Sequence, residues 1–161
     1  MTSVSFIIPV YNKSRYLKTV IKSLRQQSGN FDKEYIFIND GSTDNSLEIL
    51  KKAKKTLPNC KIITQKNKGS ANATNVGIFA AKMKYIKFLD ADDLILSNAT
   101  NVLVNFLENS SESVLAYGLQ RKVDNFKKVN LDEKITIQDF SIISKPIFLA
   151  IALTSVFLSF P

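Results

Sequence analysis

Hydrophobic positions change period several times along the first two-thirds of the chain, and each change marks a predicted element. Residues 4–10 (VSFIIPV) form a β-branched and aromatic run closed by Pro9 and the Tyr11-Asn12 pair, which predicts a strand and a turn. Leu17, Val20, Ile21 and Leu24 then recur at helical spacing, one stripe of an amphipathic helix ending near Gly29. Residues 35–39 (YIFIN) predict a second strand, cut off by Asp40-Gly41. Leu47, Leu50 and Lys54 predict a helix over 46–57, with Ile49, Ala53 and Leu57 broadening its apolar face. Ser42, Thr43 and Asp44 before it are candidate N-caps. Residues 61–65 read as a third strand, 71–84 as a helix and 85–89 as a fourth strand. A further helix contains 102–108, and 113–119 read as a fifth strand.

Strict alternation of strands and helices with short loops predicts an α/β fold, a parallel sheet with helices on both faces. Such sheets bind ligands outside the carboxyl ends of their strands. That rule selects the polar residues that follow each strand: Tyr11 and Asn12, Asp40 to Asp44, Lys66 to Gly69, and Asp90 to Asp93. All of them are expected at one edge of the sheet.

Composition narrows the chemistry. The chain has 161 residues, enough for one domain with a sizeable core. A single cysteine, Cys60, excludes an internal disulfide and fits a reducing, cytoplasmic compartment. With no histidine, imidazole bases, zinc sites and Ser-His triads are excluded. Net charge is +8, from 22 basic and 14 acidic residues. The lysines of KKAKK (Lys51 to Lys55) read as a solvated helix face, and no aromatic residue is interleaved with them, so nucleic acid is not an expected partner. Residues 147–160 are almost wholly apolar but too short for a bilayer span, which suits a buried element or a segment at the inner membrane surface.

The acidic cluster in YIKFLDADDLIL carries the most specific chemistry. A DxD alone is expected by chance about half a time in a chain of this composition, and its bland reading is a turn plus a helix cap. Its predicted place beside Asp40 changes that reading. Carboxylates crowded at one strand-end crevice repel unless a cation or donor groups compensate. Carboxylate oxygens without Cys or His suit Mg²⁺ or Mn²⁺, and Mg²⁺ commonly completes its shell with substrate phosphates. The sequence contains neither GxGxxG nor GxxxxGK[ST], which disfavours dinucleotide-binding and P-loop proteins.

VSFIIPVYNKSRYL, YIFINDGSTDNS, NKGSANATNVGI and YIKFLDADD together resemble, in order and spacing, the N-terminal motifs of family 2 glycosyltransferases over roughly residues 3–120. The resemblance implies a GT-A (Rossmann-like) fold and a nucleotide-diphosphate sugar, most often a UDP-sugar, as donor. Pro9, Tyr11 and Asp40 match the positions that hold the base and ribose. Asp90 matches the donor contact of the DxD motif, and Asp92 matches its divalent-metal ligand. Asp93 supports either, while Asp44 reads better as a helix cap. Asn75 and Gly77 match the third motif, where substrate contact and helix packing are both open. Thr74 stands where the family usually has arginine, which removes a charge.

The implied reaction is inverting transfer of the sugar to an acceptor hydroxyl, in glycan or surface polysaccharide assembly. Its general base lies on a later element, after a stretch resembling TSVFL (154–158), and no recognisable base motif stands before Pro161. Asp124, Asp132, Glu133 and Asp139 show no such motif and read as surface residues. The catalytic base is therefore unassigned, and residues 121–161 are expected to begin an incomplete acceptor half, truncated at its end. The rival reading is a truncated, non-catalytic module that binds nucleotide sugar. The acceptor, glycan or lipid, is unspecified. The apolar tail, lacking its partners, is expected to promote self-association or peripheral membrane contact.

Overall fold

The computed structural model describes residues 1–109, 115–118, 121–123, 125, 128–134, 140–142 and 156–159. The chain runs β1 (Ser3–Val10), α1 (Ser14–Arg25), β2 (Asp32–Asp40), α2 (Ser46–Lys54), β3 (Cys60–Gln65), α3 (Ser70–Ala80), β4 (Tyr85–Phe88) and α4 (Ala99–Asn109). β5 (Leu115–Gly118), β6 (Phe140–Ile142) and β7 (Val156–Ser159) follow. Among the described residues these strands form one sheet, in the order β3-β2-β1-β4-β7-β5-β6. β1 pairs in parallel with β2 and β4, and β2 with β3.

β5 does run in the direction of β4, as alternation predicts, but the two are not neighbours. β7 lies between them and is antiparallel to both. The expectation that the apolar tail lacks partners is thereby corrected for Val156–Ser159, whose backbone is paired on both sides. Of the expected apolar stretch at 147–160, residues 147–155 and 160 fall outside the described residues, as does Pro161 after it. No helix among the described residues is long and apolar enough to cross a membrane.

The strands read as near-continuous apolar runs because both faces of the sheet are covered. Val4, Phe6, Ile8, Val10, Tyr35 and Phe37 project into one core with Leu17, Val20 and Leu24 of α1, Leu50 of α2 and Leu103 of α4. Phe6 and Tyr35 stack there with ring centroids 5.2 Å apart. Ile7, Ile36, Ile38 and Ile86 face the other way, against Ala73 of α3. Gly77 lets α3 close on that face. A Cβ there would come within 2.4 Å of Ile7 Cγ2 and 2.8 Å of Ile38 Cδ1. Packing, the second of the two roles open for Gly77, is the one seen.

α3 stops earlier than the pattern predicts, and no glycine or proline marks the stop. Ala81 is extended (φ −68°, ψ 142°). The next three N–H groups donate to side chains of the sheet: Lys82 to Glu34 Oε1 (2.7 Å), Met83 to Ser5 Oγ (3.2 Å) and Lys84 to Ser3 Oγ (3.1 Å). Ser5 in turn donates to Glu34 at 2.6 Å, and both side chains are buried. These bonds satisfy backbone donors that a longer helix would have bonded internally, and they feed the chain directly into β4.

Candidate functional site

The polar loops chosen by the strand-end rule meet at the carboxyl edge of β1, β2, β3 and β4. Asn12 is the first link. Its backbone is left-handed (φ 51°), a conformation Asn tolerates better than most residues. Its Oδ1 accepts from Thr43 N at 2.8 Å and Asp44 N at 3.3 Å, and its own N–H donates to Ser42 Oγ. Asp44 is the second link. Its carboxylate accepts from Ser14 N (3.0 Å) and Ser46 N (2.9 Å), so one side chain caps the starts of α1 and α2 together. The helix-cap reading of Asp44 holds, with a second helix added. Burial pushes this carboxyl up, but the bonds from Ser46 and Ser14 outweigh it and bring it down to about 2.

Asp40 ends β2 and is only 2% exposed. Oδ1 accepts from Gln65 Nε2 (2.7 Å) and Lys68 N (2.9 Å), and Oδ2 from Gly69 N (2.9 Å). Burial raises its carboxyl, and these three bonds more than reverse that, leaving it below the usual range. Asp40 therefore fixes the loop between β3 and α3. Gly41, at φ 71°, is required beside it, because a Cβ would meet Asn67 N at 2.7 Å.

The acidic cluster forms a turn just beyond β4, in which Asp93 N donates to Asp90 O at 3.0 Å. Leu89 N donates to Ile7 O, which continues the β1–β4 register and brings the turn beside the end of β1. The segment after the turn has no regular structure as far as α4, and Gln27 braces it. Gln27 Nε2 donates to Leu96 O (2.9 Å), and Gln27 Oε1 accepts from Thr100 Oγ1 (2.7 Å).

Charge crowding at this turn is real. Burial, then Asp92, raise the Asp90 carboxyl, with Lys13 opposing. Burial, then Asp90 and Asp92, raise that of Asp93, with Lys87 and Lys13 opposing. Two lysines lie close to these carboxylates. Lys13, at the start of α1, places its Nζ 2.5 Å from Asp92 Oδ2. Lys87 of β4 is buried; burial pushes its ammonium down to about 7, and Asp93 pulls the other way. Among the described residues, no three carboxylates or thiols converge into a protein-only metal cage. Asp92, partly exposed on this turn, suits a cation that keeps water or phosphate in most of its shell, as Mg²⁺ does.

The other expected residues fall as follows. Tyr11 is 45% exposed just beyond β1, on the same edge. Pro9 lies within β1, paired with Ile38. Asn75 is on the exposed side of α3, and Thr74 is partly exposed. Asp132 and Glu133 are exposed as expected, and Glu133 pairs with Arg121 at 3.0 Å. Asp124, Asp139 and Pro161 lie outside the described residues, and the described residues ahead of Pro161 leave the catalytic base unassigned. Sequence reasoning missed Lys13, Gln27 and Gln65, with partners 25 to 79 residues away, and Lys87, buried near Asp93. For Lys87 alone there was a signal, a charge inside an otherwise apolar strand.

The fold agrees with the comparisons to known proteins. The putative glycosyltransferase EpsH of Bacillus subtilis (strain 168) is 32% identical over 137 residues, 85% of this chain and 40% of that relative. An uncharacterized glycosyltransferase of Rickettsia bellii (strain RML369-C) is 42% identical over 109 residues, 67% of this chain and 15% of that protein. S. aureus TarS in complex with UDP has a TM-score of 0.63 at 28% identity, over 71% of this chain and 34% of that one. The mannosyltransferase PcManGT from Pyrobaculum calidifontis, in complex with GDP-Man and Mn²⁺, shares the fold (TM-score 0.63, 20% identity, 73% and 35% covered). The central sheet and its helices are thus those of the GT-A glycosyltransferases. The chain spans 15% to 40% of the length of the two curated relatives. The family model described as glycosyl transferase family 2 matches residues 5–155, and this chain belongs to that family.

Proposed function

We propose that this chain binds the nucleotide-diphosphate sugar of a glycosyltransferase reaction, with a divalent ion held at Asp92. The carrying observation is the turn of Asp90, Asp92 and Asp93, brought against the end of β1 with its charge only partly offset by Lys13. One solved relative supports the donor class, since TarS has been crystallised with UDP and with UDP-GlcNAc. PcManGT, crystallised with GDP-Man and Mn²⁺, supports the ion.

Each residue then has a task. Tyr11, exposed at the edge, offers a flat ring to the base. Asp40 shapes the same edge through its three bonds, and a lone pair left on its carboxylate suits the imide N–H of uracil. Asp90 meets the ribose or sugar, and Asn75 borders the donor from α3. Mg²⁺ or Mn²⁺, when bound, supplies charge stabilisation to the departing nucleoside diphosphate. Sugar transfer to an acceptor hydroxyl with inversion, in glycan or surface polysaccharide assembly, completes the reading.

Isothermal titration with UDP checks it. Binding is expected with Mn²⁺ and to fall at least tenfold without the ion or in Asp92→Ala. Binding indifferent to both overturns the metal assignment. A second reading, binding without transfer, draws on the exposed positions of Asp132 and Glu133, neither placed as a general base. Release of UDP from UDP-sugar by the chain separates the two.

A further inference from the structure

Lys13 does something that charge balance alone does not require. Its backbone is pinned. The N–H donates to Ser46 Oγ at 2.9 Å, and the carbonyl accepts from Tyr16 N (2.9 Å) and Leu17 N (3.1 Å) to open α1. Its ammonium contacts Asp92 Oδ2 at 2.5 Å and lies 5.9 Å from the centre of the Tyr16 ring. Both partners remain about one-third exposed (33% and 38%). The same ammonium also acts on Asp90 and Asp93. A long, partly solvated cation thus occupies one of the two oxygens of the carboxylate proposed to hold an ion.

We infer that Lys13 is the resident counter-cation of the aspartate turn, and that it changes partners when the site is loaded. Without metal, its ammonium neutralises Asp92 and keeps three carboxylates tolerable on one turn. A divalent ion arriving at Asp92 competes with it, because two cations at contact distance from one carboxylate repel each other. The displaced ammonium, still tethered at the start of α1, is then within a side chain's reach of whatever anion the ion carries. A diphosphate meets it as a point charge with three donors. Lys13 is therefore a positioning residue that opposes binding of the ion alone and favours the ion together with the diphosphate. This inference rests on the proposed metal role of Asp92.

Electron paramagnetic resonance of free Mn²⁺ reads the first half without any turnover. In Lys13→Met, affinity for Mn²⁺ alone is expected to rise about threefold to tenfold, the range of a partly exposed ion pair plus relief of repulsion. In the same variant, affinity for UDP at saturating Mn²⁺ is expected to fall by a similar factor. Lys13→Gln, which keeps polarity but not charge, must behave alike, and thermal melts report that both variants are folded. Mn²⁺ affinity unchanged or lowered in both variants overturns the inference, as does UDP affinity that does not fall. Asp92→Asn distinguishes the failures. If it binds Mn²⁺ as wild type does, the metal role of Asp92 fails and the inference with it. If it loses Mn²⁺ while the Lys13 variants show no opposite shifts, only the Lys13 inference fails.

Discussion

The loops at the strand ends are held by single polar side chains, each bonded to backbone of another loop. Asp44 is the clearest case, because two helices begin on its two oxygens. Its carboxyl lies near 2 in the folded chain, against 3.8 for the ordinary group. The stability it contributes is therefore complete above about pH 4 and is lost as pH falls from there towards 2. Asp44→Ala is expected to cost about 1 kcal/mol at neutral pH and to flatten that part of the acid limb, measured by urea denaturation across the pH range. Equal acid slopes in both proteins contradict the capping role. Such residues are only half legible in sequence. The Ser-Thr-Asp cluster announces a cap, but nothing local tells that Ser14, thirty residues away, shares it. Lys13 was illegible for the same reason, since its partner is 79 residues distant.

Elements were easier to read than residues, because period and burial act locally. Strands β1 to β4 stand where the apolar runs predicted them, since a sheet covered on both faces demands such runs. The end of α3 was not legible. Its stop is set by Ser3, Ser5 and Glu34, which belong to other strands. The position of β7 was not legible either, for pairing order depends on the return of the chain rather than on local pattern. Gly77 ties sequence to packing at this scale. Gly77→Ala gains helix propensity of about 1 kcal/mol, but its methyl must displace Ile7 and Ile38, an overpacking worth about 1–3 kcal/mol. A lowered melting temperature is expected, partly restored by Ile38→Val, which removes the Cδ1 that the methyl would meet. An unchanged or raised melting temperature contradicts the close packing of α3 on β1.

The whole molecule places its chemistry where a parallel sheet always does, in the crevice beyond its strand ends. Strand order supplies the crevice: β1 and β4 are adjacent, with β2 and β3 on the far side of β1. Tyr11, Asp40 and the aspartate turn are thus drawn from three loops to one edge. The four sequence motifs made this convergence legible, while the charge balance within it emerged only from the fold. The central claim is that Asp92 seats a divalent ion on that edge together with a nucleoside diphosphate. Crystals grown with Mn²⁺ and UDP, measured at the manganese absorption edge, test it most directly. The account predicts an anomalous peak within about 2.5 Å of an Asp92 oxygen, bridged to the UDP phosphates, with Lys13 no longer on that oxygen. UDP bound with no manganese at Asp92, or manganese bound elsewhere, would contradict it.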